Sequence, residues 1–254
     1  MTYGLYLYGI FPAPGPALDL EGLDHQPVQT QVIDRFAFLY SAAQQERYLA
    51  SRRNLLGHEK VLEQAMHAGY RTLLPLQFGL TIETWDTVTE QLITPHRESL
   101  EHLFETLSGY REVSIKLFWD SNAELQALMA EDANLREKRD FLESVRSSRS
   151  DGKSLSMDEI VLIGQAIEKA MSDRKQTIIQ AFQDSLNPLA IARVENEVLT
   201  EMMIYNTAYL IPWEAEAEFS QQVEALDHQF DSRLKIRYND FTAPYNFAHL
   251  DQLT

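Results

Sequence analysis

Val113-Ser114-Ile115-Lys116-Leu117-Phe118-Trp119 sets Val113, Ile115, Leu117 and Trp119 on one side of an extended chain and Ser114, Lys116 and Phe118 on the other. A period of two is the pattern of a strand with one face on a core. Ser121 with Glu124 then has the spacing of a helix start. A charged helical stretch from Ala133 to Arg146 follows, and behind it Ile160, Gly164, Ile167, Met171, Ile178 and Phe182 repeat at helical spacing. Leu189–Val194 and Met202–Ile211 read as two strands. Pro212 opens a helix with the stripe Phe219, Val223, Leu226 and Phe230, and Leu234–Tyr238 reads as a last strand. Strand, helices, strand, strand, helix, strand is the order of a split βαβ, ferredoxin-like sheet enlarged by extra helices.

The first half is also α+β. Tyr3–Ile10 is apolar on both alternating faces, as in a strand buried on both sides, and Pro12 ends it. Val28–Ile33 and Phe36–Tyr40 follow as strands. Ser41 with Gln44 has capping-box spacing, so a long helix is expected from Ser41 to Gly69, with Tyr48, Leu55, Leu62 and Met66 as its stripe. Arg71–Phe78 is expected as a strand. A helix from Trp85 to Leu107, kinked at Pro95, ends at Ser108-Gly109. The expected division is 1–110 and 111–254, with a mobile loop at Ser147–Gly152.

Composition narrows the chemistry. Over 254 residues, 22 Lys+Arg against 38 Asp+Glu leave a formal charge of −16, which speaks against a nucleic-acid or anionic-membrane binder. No cysteine is present, which excludes disulfides, thiolate metal sites and cysteine nucleophiles. The uncharged stretch Thr2–Leu18 is broken by Pro12, Pro14 and Pro16, so it is not expected to span a membrane. The expected location is the cytoplasm, and no cofactor or metal is expected.

Catalytic signatures are missing. There is no phosphate-binding glycine motif and no nucleophile elbow. His58-Glu59 is the nearest approach to a zinc helix, but position 62 is Leu where a second ligand would stand. His58 lies between Leu55 and Leu62, beside the apolar stripe and one turn after Asn54, a candidate partner. It reads as a hydrogen-bonded structural histidine. The alternative is a small-ligand binder or enzyme using His58 and Glu59 in a cleft between the halves.

The sharper inference concerns charge. Arg233, Lys235 and Arg237 alternate with Leu234, Ile236 and Tyr238, and Lys116 and Phe118 oppose the apolar set of the neighbouring strand. If Ile204, Ala208 and Leu210 face the helices, Met203, Tyr205 and Tyr209 join those cations. A very acidic chain would then carry one basic, aromatic sheet face. Either it docks an acidic or amphipathic partner, or the rest of the protein covers it, which is the simpler expectation.

Several stretches resemble the gas vesicle accessory proteins of the GvpF/GvpL family. They are Leu5–Ile10, Arg52–Glu63, Leu73–Gly79, Glu112–Asp120, Asn206–Leu210, Leu234–Tyr238 and Phe241–Phe247, in this order over nearly the whole chain. Gln77 stands where the family often has Arg, and Gly57 where it often has Ala. The resemblance implies a non-enzymatic structural or assembly protein of the gas vesicle. Its implied partners are the small hydrophobic shell protein and other accessory proteins.

Overall fold

The computed structural model describes residues 3–147, 157–230 and 233–250. Residues 148–152 of the expected mobile loop lie outside them. In chain order the elements are β1 (Leu5–Pro12), β2 (Gln29–Ile33), β3 (Phe36–Ala42), α1 (Arg52–His67), β4 (Leu74–Pro75), β5 (Thr81–Ile82), α2 (Trp85–Val88) and α3 (Thr94–Leu107). They continue with β6 (Tyr110–Phe118), α4 (Ser121–Glu131), α5 (Ala133–Ser147), α6 (Met157–Leu186), β7 (Ala192–Glu195), β8 (Met203–Pro212), α7 (Glu216–Gln229) and β9 (Lys235–Thr242). Helix and sheet mix as expected of an α+β chain.

Two antiparallel sheets form. The first has the order β2-β3-β1-β4, with β5 also on β1, and the second has the order β7-β8-β6-β9. Each sheet draws all its strands from one side of Gly109, and both repeat one strand order. In the first, the long proline-rich connection from Pro12 to Gln29 stands where a helix would follow the opening strand. That omission hides the parallel between the halves from a reading by periodicity.

A bulge between Leu7 and Gly9 shifts the alternation of β1, so that Phe11 rather than Ile10 shares a face with Tyr6 and Tyr8. Tyr6, Tyr8 and Phe11 pack under α1 with Val61, Leu62, Ala65 and Met66. Leu7 and Ile10, with Phe36 and Phe38, meet Leu100, Leu103 and Phe104 of α3 and also Ala208 and Leu210 of β8. This second core therefore takes residues from both sheets. On the far face of the second sheet, Val113, Ile115 and Leu117 pack with Ile178, Phe182 and Leu186 of α6 and Phe219, Val223 and Leu226 of α7.

Two local expectations change, and the kink expected at Pro95 is present. Ser41 does not open a helix: it is buried at the end of β3, its Oγ 2.8 Å from the Tyr8 hydroxyl. Helix α1 starts at Arg52, capped by Ser51, whose Oγ accepts from the Asn54 N–H at 3.3 Å. Tyr48 thus belongs to the preceding loop, although it still packs in the α1 core. Within Arg71–Phe78 only Leu74 and Pro75 pair as strand. The Trp85–Leu107 segment passes through a π-helical turn at Thr89–Ile93 and a non-helical His96, because Pro95 lacks the amide proton a regular helix needs.

Candidate functional site

Register decides which side chains share a face of the second sheet. Lys116 lies opposite Asn206 on one side and Arg237 on the other, and Phe118 lies opposite Met203 and Lys235. Directly opposed residues point to the same face. Lys116, Phe118, Lys235 and Arg237 therefore converge, with Lys235 and Arg237 exposed and Lys116 and Phe118 half-buried. The Arg237 guanidinium sits 4.8 Å from the centre of the Phe118 ring, a cation–π contact. Among the described residues no carboxylate pairs with Lys116, Lys235 or Arg237. Met203 is buried at the end of the patch.

Three of the expected site residues are elsewhere. Tyr209 lies opposite Val113 and Tyr205 opposite Leu117, so both face α6 and α7, buried and joined by a 2.7 Å contact between their hydroxyls. Ala208 and Leu210 turn the other way, into the core shared with α3. The physical reason is that β8 is buried on both faces, so its own alternation does not say which set meets the helices. The tyrosines fill the wide space against α7, with the Tyr209 and Phe219 rings 5.3 Å apart. Arg233 precedes β9, and its guanidinium is held 3.5 Å from buried Glu124, beside the closer Arg174–Glu124 bridge at 2.6 Å.

The face is thus divided. Its Ala208–Leu210 end is covered by the first half, while its Lys116–Arg237 end is open. The β7–β8 hairpin adds apolar residues that sequence reading passed over: Val198, Leu199 and Met202 are 50%, 70% and 57% exposed. Asn206, in the Lys116–Arg237 row, donates its side-chain N–H to the Glu197 carbonyl at 2.8 Å and so ties the hairpin beside the cations. The available signal was two apolar residues inside the polar run Glu195–Glu201.

His58 is structural. It is buried, with Nε2 3.1 Å from the Leu76 carbonyl oxygen and Nδ1 2.9 Å from the Tyr6 hydroxyl. Burial pushes its pKa down to about 4. A carbonyl only accepts, so Nε2 carries the proton, Nδ1 is bare and Tyr6 donates to it. Both nitrogens are committed, and Asn54, the expected partner, donates instead to the Leu49 carbonyl. Glu59, next on the helix, is held above the usual carboxylate range by burial and by Glu63.

Two contacts lock the C-terminal tail to the rest. Glu112 is buried and accepts from the Asn246 backbone N–H at 2.8 Å and side-chain N–H at 2.6 Å; burial pushes its pKa up to about 7. Trp213 makes cation–π contacts with the guanidinium groups of both Arg71 and Arg111, 4.6 and 4.5 Å from its ring centre. Arg111 also reaches the Phe241 ring, on which His67 of α1 stacks at 4.2 Å.

The profile of the gas vesicle synthesis protein GvpL/GvpF family matches residues 4–249. Gas vesicle protein F of Nostoc sp. (strain PCC 7120) is 59% identical over 251 residues, covering 98% of this chain and all of that one. The crystal structure of GvpF from Microcystis aeruginosa superposes with a TM-score of 0.82 at 57% identity, covering 98% of this chain and 100% of that one. The crystal structure of GvpF from Anabaena sp. PCC7120 gives 0.80 at 55% identity, covering 97% and 96%.

Proposed function

This chain belongs to the gas vesicle synthesis protein GvpL/GvpF family, and from that premise we propose that it is a non-enzymatic assembly component that binds the small hydrophobic shell protein as the vesicle forms. Its work is then done in the cytoplasm and at the vesicle, in contact with the shell protein and with other accessory proteins. The C-terminal half acts as a ferredoxin-like domain from residue 111 on, a reading its β7-β8-β6-β9 order supports.

The observation that carries the docking reading is the open patch of Lys116, Phe118, Lys235 and Arg237, cations without acidic partners among the described residues of a chain with net charge −16. An apolar chain that carries some acidic residues gains ring and methylene contact from Phe118 and the hairpin, and charge contact from the cations. Capture of the shell protein by the full chain, co-expressed without other vesicle proteins, tests this. Lys116→Glu with Arg237→Glu should lower capture at least tenfold while the thermal midpoint holds. Unchanged capture by a folded double variant excludes the patch. No capture by the unaltered chain excludes direct shell binding.

A further inference from the structure

We infer that the free edge of β9, Lys235 to Asn239, takes up an added strand from the partner: an extended segment in which acidic residues alternate with apolar ones. This rests on the docking reading above and specifies how the partner is held. β9 closes its sheet on one side, paired only with β6 among the described strands. An edge strand turns every second N–H and C=O away from its neighbour, which makes it a template for one more strand. The straight part runs from Lys235 through Asn239, and the register slips before Thr242. There Arg111 donates to the Asp240 carbonyl, which closes the template.

The two sides of that edge ask for different chemistry. Lys235 and Arg237 lie on the open patch with Lys116, whereas Ile236 and Tyr238 lie on the α7 side, half-buried among Phe230 and Phe219. A partner strand alternating acid and apolar residues matches both at once. A second copy of β9 does not, because antiparallel self-pairing brings lysine and arginine opposite one another. The opposite edge of the same sheet is differently made: on β7, Arg193 is already paired with Glu195 at 3.2 Å. In the first sheet β2 has no charged side chain, and Thr30 on it donates to the Pro16 carbonyl.

The test uses the full chain and a synthetic nine-residue peptide alternating glutamate and valine. Two further versions are N-methylated on every second amide, one in each alternation. An added strand donates through only one set of amides, and the charge alternation sets which. One methylated peptide should therefore bind at least tenfold more weakly and the other within about twofold of the parent. A lysine–valine peptide should bind at least tenfold more weakly. Lys235→Glu with Arg237→Glu should reverse that preference at an unchanged thermal midpoint. Equal binding of both methylated peptides overturns strand addition and leaves side-chain docking standing. No peptide binding by a chain that still captures shell protein overturns it too. Failure of the unaltered chain to capture shell protein, with peptide binding intact, overturns the docking reading instead.

Discussion

The hydroxyl of Tyr6 donates to the bare Nδ1 of His58 across 2.9 Å, and the Gly79 N–H donates in turn to the Tyr6 oxygen at 3.0 Å. One hydrogen-bond relay thus joins β1, α1 and the segment after β4. His58→Ala leaves the Tyr6 hydroxyl and the Leu76 carbonyl without their partner and opens a cavity. The expected cost is about 2–4 kcal/mol. Urea denaturation measures it, and shell-protein capture per folded molecule should not change.

Acid response should reveal two opposed groups. His58 has a folded pKa of about 4 against 6.5, so the stability it contributes is full above pH 6.5 and is lost as pH falls through 4. Glu112 has a folded pKa of about 7 against 4.5, so its contribution is full below 4.5 and is lost as pH rises through 7. Their slopes oppose each other between pH 4.5 and 6.5. Glu112→Gln removes one of them. Unfolding free energy of that variant, measured at three pH values in this window, should rise more steeply with pH than the parent's, by up to ~1.4 kcal/mol per unit.

Phe118 and Tyr209 are both aromatic residues of the same sheet, yet their alanine variants should part. Tyr209→Ala empties a fully buried site between the sheet and α7, at a cost of about 3–5 kcal/mol, without changing capture by the folded fraction. Phe118→Ala removes a half-buried ring from the open patch. It should cost under about 1.5 kcal/mol and lower shell-protein capture severalfold. Thermal melts beside pull-downs separate the two.

Gly22 and Gly164 should respond oppositely to alanine. A Cβ on Gly22 would lie 2.0 Å from the Tyr8 hydroxyl, which is also held by Ser41 and by the Leu23 N–H. Gly22→Ala should destabilise by about 1–3 kcal/mol. Gly164 lies inside α6 with nothing within 4 Å of the added carbon. Gly164→Ala should stabilise by about 0.5–1 kcal/mol, read as a higher denaturation midpoint.

Much of this was legible where one face is buried and the other wet. The Val113 strand, the α7 stripe at Phe219, Val223 and Leu226, and the cation alternation at Lys235 and Arg237 all stand as period and charge predict. Legibility failed where both faces are buried. On β8 no alternation separates Tyr209 from Ala208, and only pairing with Val113 and Ser114 does so. It failed also at Ser41, whose capping chemistry is spent on Tyr8, a partner 33 positions away. Long-range partners of polar side chains leave no periodic trace. For the same reason the Glu112–Asn246 clasp, across 134 positions, could not be read in advance.

The indole of Trp213, held by one arginine from each side of Gly109, also ties the two halves along a particular line. β9 leads from its open edge, past the register slip, to Phe241, which the Arg111 and His67 contacts join to Trp213 and to α1. Among the described residues, a chain of stacked rings and guanidinium groups connects that strand to the first half. A partner docked at Lys235, as proposed, would pull on α1 through this cluster, as on a handle rather than on one of two beads on a string.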